Sequence, residues 1–173
     1  TDLIIIPSLS DYIEDLSSSF PNLLEWLQTH YQNKTTIAGF CTGSFLLAEA
    51  GILNGKTATT HWGYEKRFKT KYPDVVLKSK QRITEESNLF CSAGGTAGFD
   101  LAILLVKKYC GSDIAMQCSK ILLVDYDRVS HLPYALFNYQ KSHEDTQILK
   151  AQEWIEKQYA KNFNTSEVAD HVG

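Results

Sequence analysis

Cys41 and His61 are the two side chains of this chain whose setting suggests joint chemistry. Cys41 sits in Gly39-Phe40-Cys41-Thr42-Gly43, between a β-branched run over 35–40 and a helix-forming run over 44–50. A strand passing into a helix with no loop between them is the sequence form of a nucleophile elbow, G-x-nucleophile-x-G. The glycines are needed because the turn is tight and neighbouring backbone comes close. Such a turn leaves its central side chain exposed above the sheet, with a helix amino terminus behind it that favours a thiolate. The backbone amide of Thr42 is a natural oxyanion donor. His61 lies twenty positions further on, at the end of a short run over 57–61 that reads as a strand. Carboxyl ends of neighbouring parallel strands share one edge, where ligands bind. Cys41 and His61 can therefore meet there as nucleophile and base. The plainer alternatives are a cysteine that merely begins a helix and a strand-end histidine bonded to backbone. No carboxylate stands at a position that marks it as the orienting third member.

A second glycine-rich turn, Ser92-Ala93-Gly94-Gly95-Thr96-Ala97-Gly98, also joins a strand to a helix. It could offer backbone amides to an anion. It fits neither a dinucleotide fingerprint nor a P-loop, and close strand–helix packing explains its glycines. Asp100 follows at the start of that helix, where a carboxylate favours the helix dipole. Cys41, Cys91, Cys110 and Cys118 lack C-x-x-C spacing and, Cys41 apart, read as buried thiols of a reducing, cytoplasmic protein. His30, His131, His143 and His171 show no ligand spacing, so no metal is expected.

The elements that must carry these residues alternate. An apolar run over 3–6 reads as a buried parallel strand ending at Pro7-Ser8, and 11–32 as a helix with Pro21 in an early turn. Residues 62–72 read as an amphipathic helix stopped by Pro73. Short strands follow at 75–77, 82–84 and 89–92, then helices over 97–109 and about 112–124. Strand, loop and helix in alternation is the pattern of an α/β fold with a largely parallel sheet. The pattern changes after Asp125: residues 127–146 are polar and irregular, and a new helical period starts at Ile148.

The chain has 173 residues, enough for one ordinary domain with little left over. Its 17 Lys and Arg against 20 Asp and Glu give a formal charge of −3, which argues against a surface that coats nucleic acid. No apolar run approaches the roughly 18–20 residues of a membrane span. The chain opens on Thr1 and closes on Gly173 directly after a helical pattern, and so reads as a piece of a longer polypeptide.

The block from Gly39 to Trp62 resembles the amidase-like domain of AraC-type transcriptional regulators, as does Ser92 to Ala102. Such regulators carry an amino-terminal domain similar to class I glutamine amidotransferases and PfpI-type peptidases, followed by a helix-turn-helix domain. The resemblance runs from about Leu3 to Val124. It implies a flavodoxin-like three-layer α/β sandwich with a mostly parallel sheet, truncated ahead of Leu3 by one strand and helix. Residues 151–159 and 165–173 look like the opening of an AraC-type DNA-binding domain, its recognition helix lying beyond Gly173. The implied layout is a sensor domain over 1–125, a linker or arm over 126–147 and the start of the helix-turn-helix domain over 148–173. Two departures matter: PfpI-type peptidases carry His where Thr42 stands, and the family usually has Gly where Ser8 stands. Both favour a sensing pocket over a hydrolytic one. The ligand contacts the resemblance implies are Ser8, Cys41, Thr42, His61 and Gly94. The implied protein is a cytoplasmic homodimer away from membranes, with a small-molecule effector, no cofactor, and DNA as partner of the full-length chain. The alternative is a cysteine-dependent amidase or hydrolase using Cys41 and His61. A variant has Cys41 as an oxidant-sensing thiol.

Overall fold

The computed structural model describes residues 1–10, 12–124, 143 and 145–173. The chain divides into two compact units, Thr1–Pro133 and Tyr134–Gly173. The arm expected over 126–147 lies almost wholly outside the described residues.

In the first unit, β1 (Leu3–Ile6) leads to α1 (Leu16–Ser19) and α2 (Pro21–Gln32), then β2 (Thr36–Phe40) runs straight into α3 (Gly43–Glu49). A short β3 (Thr57–Ala58), a 3-10 turn (Trp62–Tyr64), α4 (Glu65–Lys71) and β4 (Val76–Leu77) follow. β5 (Ile83–Glu86) and β6 (Leu89–Ser92) then lead into α5 (Ala97–Cys110) and α6 (Ser112–Leu122). The main sheet has the order β1-β2-β6-β5. β1, β2 and β6 are parallel, and β5 is antiparallel to β6. This is the expected α/β architecture with a mostly parallel sheet.

Side-chain alternation divides the core into two layers. Ile37 and Leu89 are paired in register and face α2, α3 and α4, in a cluster with Leu27, Phe45, Leu47 and Phe68. Their neighbours Ala38 and Phe90, also paired, face the other way onto Leu101 and Leu105 of α5. Phe45 is the hub of the first layer, meeting Phe68 edge-on at 4.8 Å and Tyr72 at 5.8 Å. Edge-to-face rings add to plain area burial, and this cluster fixes α4 against α3.

Three sequence expectations change in detail. The helix expected over 11–32 starts only at Leu16 and is two helices, broken at Phe20, which has a non-helical backbone ahead of Pro21, because the residue before proline avoids the helical region; residue 11 lies outside the described residues. The 62–72 helix begins as a 3-10 turn. β1 is a parallel strand as expected, but only Ile6 of it is buried: it lies at the sheet edge and Ile5 is 57% exposed.

In the second unit, α7 (Thr146–Gln158) is capped by Asp145, which accepts from the Gln147 and Ile148 amides. Asn164 and Glu167 form a reciprocal capping box that starts α8 (Thr165–Val172). Trp154 of α7 packs against Phe163 at 5.2 Å and His171 at 5.7 Å between centroids.

Candidate functional site

The parallel strands β1, β2 and β6 deliver three chain turns to one edge of the sheet: Pro7-Ser8, Cys41-Thr42-Gly43 and Ala93-Gly94-Gly95. Cys41 has φ +56°, a left-handed backbone for a residue with a Cβ. Such a conformation costs on the order of 1–3 kcal/mol and persists only where the surroundings fix it. Here they do. The Cys41 amide donates to the Ser92 carbonyl at 2.9 Å, which continues the β2–β6 ladder. The Cys41 carbonyl accepts from the Ser44 hydroxyl and from the Thr60 hydroxyl, each at 3.0 Å. The elbow expected from the sequence is present; Gly43 is required by close backbone, and Gly39 is tightly packed. A Cβ on Gly43 would meet the Ile6 and Pro7 carbonyl oxygens at 2.7 Å, and one on Gly39 would lie 3.0 Å from Leu47.

Gly94 closes the site from the other side. A Cβ there would lie 2.5 Å from Cys41 Sγ, 3.0 Å from Cys41 Cβ and 3.1 Å from His61 Cδ2. The structure therefore brings Cys41, His61 and Gly94 together. Gly94 and Gly95 have φ +53° and +59°, so glycine is needed at Gly94 for both contact and conformation.

His61 arrives differently from the expectation. β3 is only two residues long and pairs with β4 in a separate small sheet. His61 lies beyond it, as the amino-terminal cap of the 3-10 turn. Its Nδ1 accepts from the Gly63 amide at 3.1 Å. An Nδ1 that accepts a hydrogen bond leaves the ring proton on Nε2 in the neutral imidazole. Burial lowers its pKa and no charged neighbour contributes, so the neutral ring is favoured. Among the described residues no hydrogen bond joins this ring to the Cys41 thiol. The plainer alternative for His61, a histidine bonded to backbone, describes what is seen. A general base against a thiol needs its bare nitrogen aimed at sulfur and its N–H held by an acceptor; here the bare nitrogen is Nδ1, and the Gly63 amide occupies it.

Thr42 is fully buried. Its hydroxyl accepts from the Leu9 amide at 2.9 Å and pairs with the Ser8 hydroxyl at 3.0 Å. Thr42 therefore tethers the loop after β1, and Ser8 is held at the site's rim. Further on, Lys71 fixes that loop by donating to the Glu14 carbonyl at 2.8 Å while pairing with Glu49 at 3.0 Å. Burial would raise the pKa of Glu49, but hydrogen bonds from Tyr72 and Lys71 outweigh it and hold the carboxyl below its usual value.

Several residues that position the site were not singled out from the sequence. Thr60 anchors the Cys41 carbonyl, and Thr59 donates to the Gln81 carbonyl at 2.8 Å. Arg82, 2% exposed, forms a buried ion pair with Asp100, donating through Nε at 2.6 Å. Thr59 and Thr60 carried the signal of a β-branched pair beside His61, which reads as strand. Arg82 gave none, since a lone arginine in a polar turn normally faces water. Asp100 thus does more than complement a helix dipole. Of the thiols expected to be buried only Cys91 is: Cys110 is exposed at the end of α5 and Cys118 is half-buried on α6. Burial pushes the Cys91 thiol up to about 12, so it offers no thiolate beside Cys41.

Residues 1–108 match the DJ-1/PfpI family. The chain is 39% identical over 107 residues to the HTH-type transcriptional regulator CdhR of Pseudomonas aeruginosa, covering 62% of this chain and 32% of that protein. It is 36% identical over 92 residues to isonitrile hydratase of Pseudomonas putida, covering 53% and 39%. A solved structure described as a putative transcriptional regulator from Vibrio parahaemolyticus superposes with TM-score 0.65 at 25% identity, covering 70% of this chain and 64% of that one. The chain thus spans between about a third and two fifths of the length of these two curated relatives. The nucleophile elbow at the carboxyl end of β2, the glycine turn against its thiol and the shared fold have one explanation: the chain belongs to the DJ-1/PfpI family.

Proposed function

We propose that this chain is the sensor portion of a DNA-binding transcriptional regulator, and that the site around Cys41 binds a small-molecule effector rather than hydrolysing an amide. The observation that carries the reading is the orientation of His61. Its Nδ1 is bonded to the Gly63 amide, so the ring meets a ligand as a neutral Nε2–H donor and not as a base. The similarity to CdhR supports the regulator half of the reading. Ser8, Cys41, His61 and Gly94 are the proposed ligand contacts, and Thr42 acts through Ser8. The two-helix unit over α7 and α8 is the proposed opening of the helix-turn-helix domain, after a linker. The full-length protein would work as a cytoplasmic homodimer whose effector biases the placement of two DNA-binding domains. No described helix is long and apolar enough to cross a membrane.

The enzymatic reading is favoured by the 36% identity to isonitrile hydratase and by the elbow that holds Cys41 near His61. In that reading Cys41 is the nucleophile and His61 the base, which requires the imidazole to give up the Gly63 amide. The test uses the full-length regulator in cells with a reporter on its own promoter. Cys41→Ala and His61→Phe are expected to abolish or shift the response to the inducing condition while DNA binding persists. Unchanged induction in both variants would overturn the proposal.

A further inference from the structure

We propose that Arg82 is a positioning residue for the Cys41 site: it grips both ends of the Gly94–Gly95 turn and presses that turn onto the thiol and the imidazole. The inference rests on the reading that this is the working site. At the near end, the Arg82 carbonyl accepts from the Ala93 amide at 2.8 Å. At the far end, its guanidinium donates to the Thr96 hydroxyl at 3.1 Å and to Asp100 at 2.6 Å. One residue therefore spans the turn, and what lies between its two holds is Gly94, packed against Cys41 and His61.

Both glycines sit at positive φ, a region they enter without steric cost but with the largest loss of backbone freedom. Gly95 has open space around it. The Gly94 and Gly95 carbonyls accept from the Ala97 and Gly98 amides, each at 3.2 Å, which ties the turn to the start of α5; seating that turn on Cys41 and His61 falls to its flanks. The Arg82 and Asp100 side chains are only 3% and 7% exposed. A buried ion pair seldom stabilises more than apolar residues of the same volume would. Its worth here lies in direction. A planar guanidinium spreads its donors over a rigid fork that reaches a carboxylate and a hydroxyl some distance apart, whereas a lysine ammonium gathers its three donors at one point and lacks that span. Thr96 makes no side-chain cap bond to α5, which leaves its hydroxyl for Arg82.

Alkylation by iodoacetamide, mapped by peptide mass spectrometry, tests this without any effector, so its failure is distinct from failure of the sensor reading. Three thiols report separately: Cys41 on the site, exposed Cys110 on reagent access, and buried Cys91 on loss of the fold. Thr96→Val removes only the hydroxyl arm, and Arg82→Lys keeps the charge on Asp100 while giving up the fork. Each is expected to raise the Cys41 rate about fivefold or more, on the scale of one charge-assisted hydrogen bond, with Cys110 and Cys91 unchanged. Thr96→Ser is expected to restore the original rate. A Cys41 rate that does not rise in folded Thr96→Val overturns the proposal. So does a rise that Cys91 shares, since the clamp would then serve the fold as a whole.

Discussion

Replacing Gly94 with alanine would add a methyl group 2.5 Å from Cys41 Sγ and 3.1 Å from His61 Cδ2. Two costs add. An L-residue in the left-handed region costs roughly 1–2 kcal/mol. An extra methyl forced into a packed site costs typically about 1–3 kcal/mol more. Gly94→Ala should therefore destabilise the first unit by about 2–5 kcal/mol. Gly95→Ala separates the two terms, because Gly95 has φ +59° but nothing within 4 Å of its Cβ position. Its cost should be the conformational term alone, about 1–2 kcal/mol. A cycle with Cys41→Ala gives a second check, since residues in contact couple and distant ones add. Removing Sγ takes away the shortest contact and should recover part of the Gly94→Ala loss, while leaving that of Gly95→Ala untouched. Native-state hydrogen exchange of the buried β2 amides reads the opening free energy of this unit without interference from the second. Equal losses for the two glycine variants, or no coupling of Gly94→Ala to Cys41→Ala, would refute the placement of Gly94 against the thiol.

Stability should fall as pH drops below the ordinary histidine value of about 6.5. The folded pKa of His61 is lowered by burial, so the unfolded chain takes up the proton first and the stability present at neutral pH is lost on acidification. Thermal melts from pH 7.5 to 5 should show a smaller acid loss for His61→Gln than for wild type. An identical loss would mean that the ring is not desolvated. Thr60→Val deletes one of the donors to the Cys41 carbonyl and should cost about 1 kcal/mol by urea denaturation. Thr42→Val strips a buried partner from the Leu9 amide and should cost about 1–3 kcal/mol, with no change at all arguing against the tether. Cys91 should resist alkylation in the native state while Cys110 reacts at once.

Much of the fold was legible in advance because two signals agreed locally. Residues 36–40 are apolar or β-branched and end in a glycine turn, and the residues after Cys41 are strong helix formers. Strand, elbow and helix could be read without knowing the rest of the chain. The two faces of β2 and β6 were not legible, since a continuous apolar run hides the alternation that sorts Ile37 from Ala38. His61 was placed beside Cys41 by a partly wrong route: its β-branched neighbours read as a strand of the main sheet, but Thr59 and Thr60 spend their hydroxyls on carbonyls of other segments. The Arg82–Asp100 pair was invisible for a plainer reason. Eighteen positions separate the partners, and a charge is read as exposed until a structure shows what neutralises it.

The protonation pattern of the His61 ring tests the central claim most directly. Long-range nitrogen–carbon correlation spectra of histidine-labelled protein, near pH 7.5, report which ring nitrogen carries the proton. The sensor account predicts a neutral ring protonated at Nε2, with Nδ1 accepting from Gly63. A ring protonated at Nδ1 and bare at Nε2, or an imidazolium coupled to the state of Cys41, would contradict it and restore a base poised for hydrolysis.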